Sequence, residues 1–281
     1  MPLLLKEQKE QVFFVFFPYF CKVLSRMESI SRINLTTVDS TNTFVREMLA
    51  EGATGQVVSA STLPGFTLVV ADDQTRGRGQ LGNTWETERG KNLTFSLLCH
   101  PTFVPAARQF LLSQCMAVAL QQALARRVEG VTVKWPNDIY VDDKKISGTL
   151  IECDLQGKSI SNCIIGVGLN VNQTEFRSDA PNPTSLQLLT GVEHDREALL
   201  SDILASFQNL YAVLCRGGED EVRRRYMEHL YRREGFHRYR DVRGEFLAEV
   251  AEVEPTGHLR LRFETGQMVR YELKEVQFLN D

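Results

Sequence analysis

Gly77-Arg78-Gly79-Gln80-Leu81-Gly82, running on into Asn83-Thr84-Trp85-Glu86-Thr87-Glu88-Arg89-Gly90, is the stretch on which the fold class turns. Its first six residues match G-x-G-x-x-G letter for letter. In a doubly wound dinucleotide-binding fold that pattern opens a helix whose N-terminus takes a pyrophosphate. Here the loop leads through a polar segment into a strand-like run, Asn92 to Cys99, with no helix between them, and the chain has no Walker A pattern. A dehydrogenase reading therefore fails on context. What survives is a loop of small residues whose amides can approach an anion closely, with Arg78 inside it as a charge-assisted donor. An exposed turn would use the same glycines, so the loop alone does not assign a function.

Outward from this loop the pattern is α+β. Upstream, Ile33 to Val38 alternates and ends in Asp39-Ser40-Thr41-Asn42, small oxygen-bearing residues suited to capping a helix predicted over Thr43 to Ala50. Gln56 to Ala60 and Phe66 to Ala71 read as strands around a Pro64-Gly65 turn. Downstream, Val104 to Arg127 has apolar residues at helical spacing (Phe110, Leu111, Met116, Leu120, Leu124) and is predicted as one long amphipathic helix. Short strands follow over Val131 to Lys134, Ile139 to Val141, Ile146 to Cys153 and Ile160 to Val167, then helices over Ala198 to Leu214 and Glu219 to Arg233. From Phe246 the period changes to two, over Phe246 to Val253, Leu259 to Phe263 and Met268 to Leu273, as in a small all-β module. The expected division is an N-terminal extension (1–29), a catalytic-sized α+β domain with a mixed sheet (30–235) and a small C-terminal β-barrel (236–281).

Composition narrows the function classes. With 281 residues and a 43% apolar fraction the chain can bury a real core. A formal net charge of -4 argues against holding nucleic acid by bulk electrostatics. The six cysteines form no C-x-x-C pair and the five histidines no H-E-x-x-H pattern, so reduced, mostly buried thiols are expected, and no zinc or other protein-held metal. The aromatic block Val12 to Phe17 is far short of the ~20 apolar residues a membrane span needs, and its flanking charges are mixed. Of the two readings left, a weak peripheral element or an extension outside the functional fold ahead of a start at Met27, the second is preferred. The Arg-rich stretch from Arg216 to Arg243 is interleaved with Glu219, Asp220, Glu221, Glu228, Glu234 and Asp241, the pattern of a solvated helix face with local ion pairs. A cytoplasmic protein with no membrane and no nucleic-acid partner is expected.

A second block carries more. Lys134-Trp135-Pro136-Asn137-Asp138 continues to Lys144-Lys145-Ile146-Ser147-Gly148. A surface hairpin accounts for Asp142-Asp143-Lys144-Lys145, but not for Trp-Pro-Asn-Asp behind a strand-end lysine. Pro136 biases Trp135 toward an extended conformation, which can fix Asn137 and Asp138 as a rigid polar turn. With Asp39-Ser40-Thr41-Asn42, Gln74 through Trp85, and Gly166-Val167-Gly168-Leu169-Asn170, in that order, the chain resembles the biotin protein ligases, in the short form without an N-terminal DNA-binding domain. The motifs span roughly Thr37 to Asn172, and the tail from Phe246 is similar to the family's small C-terminal SH3-like barrel.

The resemblance implies a reaction and a set of residues. Biotin and ATP would be substrates, with Mg²⁺ as the nucleotide's counter-ion. Biotinyl-5′-AMP would form first, and a lysine of a biotin carboxyl carrier protein domain would then attack it. Ser40, Thr41, Asn42 and Gln74 would bind the ureido head, with Gly79, Gln80 and Gly148 beside the ligand. Arg78 and Lys145 would be the catalytic cations on the reacting carboxylate and α-phosphate. Trp85, Lys134, Asn137, Asp138 and Asn170 would serve the nucleotide. Lys134 either faces the phosphates or completes a strand, and Asp138 orients either a lysine or the phosphate-bound metal. Many relatives carry Arg where this chain has Gln80. An amide has no permanent charge or bidentate fork, so adenylate retention is weakened or another cation, Arg76 or Lys91, compensates. A lipoate or octanoate ligase is the nearest rival, disfavoured by the Lys-Trp-Pro-Asn-Asp block and the absence of consecutive glycines. A biotin-sensing repressor would need a winged helix before residue 30. The chain is expected to be a monomer or homodimer.

Overall fold

β-Branched and aromatic runs of four to thirteen residues, broken by Gly, Asp and Asn turns, set all but the last, two-residue strand of the protein, known here from a computed structural model that describes residues 30–53, 65–178 and 181–279. Seven of them make one sheet. These are β1 (Ile30–Leu35), β2 (Phe66–Ala71), β3 (Leu93–Cys99), β4 (Val131–Lys134), β5 (Asp138–Val141), β6 (Lys144–Gln156) and β7 (Ser159–Leu169). Their order is β1-β2-β3-β7-β6-β5-β4, with β1 and β2 parallel and every other neighbour antiparallel. The sheet is mixed, as expected. The expected strand Gln56 to Ala60, Pro64 of its turn and the N-terminal extension lie outside the described residues.

The two faces of this sheet are covered differently. On one face lie α2 (Phe110–Ala125), α4 (Arg196–Cys215) and α5 (Glu219–Glu228), whose apolar residues join Phe95, Leu97, Ile165 and Val167 in the main core, to which the short α3 (Leu186–Thr190) adds Leu186. Leu111 to Gln121 of α2 is buried on every side, because the helix lies between the sheet, α4 and α5. The amphipathic pattern read from five apolar positions is thus the visible part of a wholly enclosed helix. Helix α4 is long and apolar enough to cross a membrane by composition, but Leu199, Ile203, Phe207 and Leu210 spend that apolarity in the core. On the other face, α1 (Thr41–Ala53) covers a small second cluster around Val45, Val69, Leu98 and Ile164. The rest of that face is left to a cleft.

A five-stranded antiparallel sheet, ordered β11-β10-β9-β8-β12, forms the C-terminal part. It contains β8 (His237–Asp241), β9 (Gly244–Val253), β10 (Leu259–Phe263), β11 (Met268–Tyr271) and β12 (Gln277–Phe278). Three of these match the alternation read from the sequence. β8 falls instead in the Arg-rich stretch read as helix. Helix α5 stops at Glu228 because the next backbone groups leave to pair with β4: Val133 donates to the His229 carbonyl at 2.7 Å and Tyr231 to the Val133 carbonyl at 2.9 Å. The interleaved charges do pair, Arg224 with Glu228 at 2.5 Å and Arg238 with Glu245 at 2.7 Å. Trp135, buried beside the cleft, donates its indole N–H to the Gly257 carbonyl at 2.8 Å and so ties the two sheets together. The Trp135–Pro136 peptide bond is cis.

Candidate active site

Three glycines hollow out the cleft. Gly148 on β6 stands opposite Gly168 on β7, and Leu150 opposite Gly166. Side chains at two of these positions would collide with the site itself. A Cβ on Gly166 would lie 2.2 Å from Asn42 Oδ1, and one on Gly168 would lie 2.2 Å from the Trp85 ring. The recess above this floor has a volume of about 230 Å³. Of the predicted site residues, Ser40, Thr41, Asn42, Gln74, Arg78, Gly79, Gln80, Trp85, Asn137, Asp138, Lys145 and Gly148 line it. Sequence positions more than 100 apart therefore converge on one cavity.

The closed end is built around the start of α1. Ser40, Thr41 and Asn42 are each 3% exposed. Thr41, the first helical residue, donates its backbone N–H to Gln74 Oε1 at 2.8 Å, so an amide oxygen from the β2 loop satisfies a helix-start donor that the helix cannot. The Thr41 hydroxyl lies 3.1 Å from the same oxygen. Ser96 of β3 sits between its neighbours, its Oγ 2.6 Å from Asn42 Oδ1 and 2.7 Å from Thr41 Oγ1. Asn42 then donates its amide to Glu152 Oε2 at 2.9 Å. Helix capping was the expected local role of these side chains. Those of Thr41 and Asn42 instead bond across to other segments.

At the open end the cations face the cleft with carboxylates attached. Lys145 Nζ lies 2.7 Å from Asp138 Oδ2 and 5.8 Å from the Trp85 ring centroid. Arg78 Nη2 lies 3.1 Å from Glu152 Oε1. Trp85 rests on Gly168 and Gly148, and its buried indole N–H has no partner. The segment after it is pinned by Glu86, whose carboxylate accepts the backbone amides of Arg177 at 2.9 Å and Ser178 at 2.7 Å. Burial pushes the Glu86 carboxyl up, but those donors pull harder and hold it below its ordinary value. Asn137 is buried, with its backbone carbonyl accepting from Thr149 N at 3.1 Å and its side-chain amide donating to the Thr149 carbonyl.

Two predicted nucleotide residues do not line the cavity. Lys134 Nζ donates to the Tyr140 hydroxyl at 3.1 Å and lies 4.4 Å from that ring's centroid and 5.3 Å from that of Phe278, at the junction with the second sheet. Burial there holds its pKa below the ordinary lysine value, with Asp138 pulling the other way. Asn170 is buried and donates to the Thr184 carbonyl at 3.0 Å. Nor do the cations expected to compensate for Gln80 reach the cleft: Arg76 pairs with Asp39 at 3.7 Å and Lys91 with Glu193 at 3.8 Å. The cleft's further cation is Lys274, which with Leu273 enters from the second sheet. Sequence reasoning missed both, along with Ser96 and Glu152. The alternation Gly148-x-Leu150-x-Glu152 on β6 was the available signal for Glu152.

The biotin/lipoate A/B protein ligase family model matches residues 36–170. The chain is 30% identical over 219 residues to the bifunctional ligase/repressor BirA of Bacillus spizizenii, covering 76% of this chain and 66% of that protein. It is 30% identical over 176 residues to the biotin–[acetyl-CoA-carboxylase] ligase of Paracoccus denitrificans, covering 60% of this chain and 72% of that one. Among solved structures, the Aquifex aeolicus biotin protein ligase in complex with biotin and ATP superposes with a TM-score of 0.71 at 25% identity, covering 89% and 99% of the two chains. The match spans between 50% and 66% of the lengths of the Bacillus, Salmonella and Escherichia BirA proteins.

Proposed function

Because the chain belongs to the biotin/lipoate A/B protein ligase family, we propose that it activates biotin with ATP as biotinyl-5′-AMP and transfers the biotinyl group to a lysine of a biotin carboxyl carrier protein domain. The observation that carries this reading is the pairing, within one recess, of a buried hydrogen-bonding end and an open end holding two cations. A neutral ureido ring needs directed donors and acceptors that cost no reorganisation on binding. Ser40, Thr41, Asn42 and Gln74 supply them. The rival substrate, lipoate, carries an apolar ring, which such an end would receive poorly.

In the first step a biotin carboxylate oxygen attacks the α-phosphorus of ATP, and the bond to the pyrophosphate oxygen breaks. Two anions meet in that step, so fixed positive charge aimed at the reacting oxygens does most of the work. Arg78 and Lys145 have that role here, while Trp85, Asn137 and Lys274 flank the nucleotide. Mg²⁺ would enter on the ATP phosphates with water in its remaining positions, and Asp138 is the cleft carboxylate that would reach it. In the second step a neutral lysine amine attacks the acyl carbon and AMP leaves. The glycine floor and the Trp85 ring keep water from the anhydride until the carrier docks.

Under this reading residues 30–235 are the catalytic domain and 236–281 a barrel that closes its open end with Leu273 and Lys274. The reading places this work in the cytoplasm, where thiols stay reduced. The deciding experiment is mass spectrometry of a carrier domain after incubation with the protein. One lysine should gain the mass of biotin less water only when ATP and biotin are both present. Labelling without ATP, or labelling by lipoate in preference to biotin, would overturn the proposal.

A further inference from the structure

Helix α1 is stapled to strand β6 twice. Asn42 donates to Glu152, and four residues on, Arg46 pairs with Asp154, two residues further along the strand. The spacing matches: four helical residues rise about 6 Å and two strand residues about 6.6 Å, so successive same-face positions of the two elements meet in register. Neither carboxylate is among the residues lining the cleft, and for Asp154 the staple accounts for what the side chain does, since it holds Arg46 and the amide of Asn162 at 3.0 Å. Glu152 does something more. Its Oε2 accepts from Asn42 at 2.9 Å while its Oε1 takes Arg78 Nη2 at 3.1 Å. A single carboxylate thus touches a side chain of the closed end and a cation of the open end.

The consequence follows from how an arginine is held. The Arg78 backbone is bridged to Thr84, but its long side chain is about half exposed (48%), whereas Glu152 is only 23% exposed and fixed in a thirteen-residue strand. A guanidinium has five N–H donors on a rigid plane. Anchoring one nitrogen to Glu152 sets the plane and leaves the others for an incoming anion. The carboxylate's other oxygen is committed to Asn42, which is wedged against Gly166 and bonded to Ser96, so the anchor inherits the rigidity of the buried end. We propose that Glu152 is a positioning residue that orients Arg78 for adenylate formation and couples that orientation to occupancy of the head pocket. The proposal rests on the ligase reading given above. Glu152 itself touches no reacting atom.

Glu152→Gln tests it with little change of shape. The amide oxygen can still accept from Asn42, but the other end becomes a donor facing Arg78. Adenylate formation, followed by pyrophosphate exchange, should fall about tenfold or more in kcat, as expected for losing a hydrogen bond to a charged partner, while KM for biotin moves less. Asp154→Asn, which loosens the other staple only, should leave both kinetic constants near wild type. If Glu152 works through Arg78, the double variant Glu152→Gln/Arg78→Ala should be no slower than Arg78→Ala alone. Additive losses overturn the proposal, as does a Glu152→Gln protein that only melts earlier and binds biotin more weakly, in step with Asp154→Asn. The Arg78 guanidinium signal in side-chain NMR separates the two readings. It should lose order in Glu152→Gln whatever the protein catalyses. If the wild type makes no adenylate yet Arg78 loosens, the ligase reading fails and the positioning stands. If adenylate forms and Arg78 is unmoved, the positioning fails.

Discussion

At the closed end of the cleft, Ser40, Thr41 and Asn42 are 3% exposed, and the hydrogen bonds of Thr41 and Asn42 run through Ser96 and Gln74. At the open end, Arg78 is about half exposed, the Trp85 indole N–H has no partner, and Arg78 and Lys145 are each occupied by a protein carboxylate. The first end is finished before substrate arrives. At the second, Lys145 has to exchange partners when it does, a phosphate taking it from Asp138, while Arg78 keeps its Glu152 anchor and offers its other N–H groups. The difference matches the two chemistries. A neutral ring is recognised by preorganised dipoles, whereas a cation left unpaired in a half-buried cleft would cost more than one held against a carboxylate until needed.

The largest test of this division is Lys145→Gln. If the open end supplies transition-state charge and little else, adenylate formation should drop by about 10²–10³-fold, while biotin binding, measured by calorimetry without nucleotide, should stay near wild type. A comparable loss of biotin affinity would mean that the two ends are not separable.

A matched pair of steric insults compares the ends directly. Gly166→Ala and Gly168→Ala each place a Cβ 2.2 Å from an existing side chain, Asn42 in one case and Trp85 in the other. Asn42 is held by Ser96 and Glu152 and cannot retreat, whereas the Trp85 indole N–H has no hydrogen bond to lose. Gly166→Ala should therefore weaken biotin binding by about 1–3 kcal/mol, the usual cost of overpacking. Gly168→Ala should leave biotin binding alone and raise KM for ATP. Equal effects on both ligands from either variant would refute the contrast.

Most residues of both ends were legible in the sequence, but Ser96, Glu152 and Lys274 were not, for a physical reason. Ser40, Thr41 and Asn42 are consecutive at a helix start, and Gly166 and Gly168 alternate on one strand, so local periodicity places them. The alternation from Gly148 marks the face of β6 on which Glu152 stands, but what Glu152 meets there, and the place of Lys274, come from the pairing of distant segments, β6 against α1 and the second sheet against the first, which no local pattern encodes. Lys134 shows the converse. A lysine before Trp-Pro-Asn-Asp looks like a phosphate ligand, yet its ammonium ends at the Tyr140 hydroxyl. β8 was hidden because only Tyr239 of its five residues is buried. Charged alternation that dense carries no apolar period to read.

Gln80 offers a smaller effect at the open end. Replacing it with Arg adds a permanent charge beside Arg78, Lys145 and Lys274. The variant should release biotinyl-5′-AMP about tenfold more slowly, on the scale of one added charged hydrogen bond. Trapping free intermediate with and without the substitution measures this directly. An unchanged escape rate would show that Lys274 already holds the adenylate without help.

Lys134→Met gives the smallest effect on catalysis and bounds the open end from outside. Lying away from the cleft, Lys134 should be dispensable for nucleotide binding, so KM for ATP should shift by no more than about twofold, within the usual range of a substitution outside a site. Its trace should appear in stability instead. Burial holds the folded pKa below the ordinary value of 10.5, so between those two values the unfolded chain binds more protons than the folded one and stability rises with pH. Below the folded pKa the cost of the buried charge is present in full and constant. Tyr231, pushed up to about 12 mainly by burial, and Cys215, likewise pushed up to about 12, give the opposite slope above their ordinary values of 10 and 9, but both variants share it, and the comparison is read below pH 10. Melting curves at increasing pH below that point should therefore show wild type gaining on Lys134→Met. Parallel curves would mean that the ammonium is as well solvated at the sheet junction as in the unfolded chain, and a large rise in KM for ATP would return Lys134 to the nucleotide.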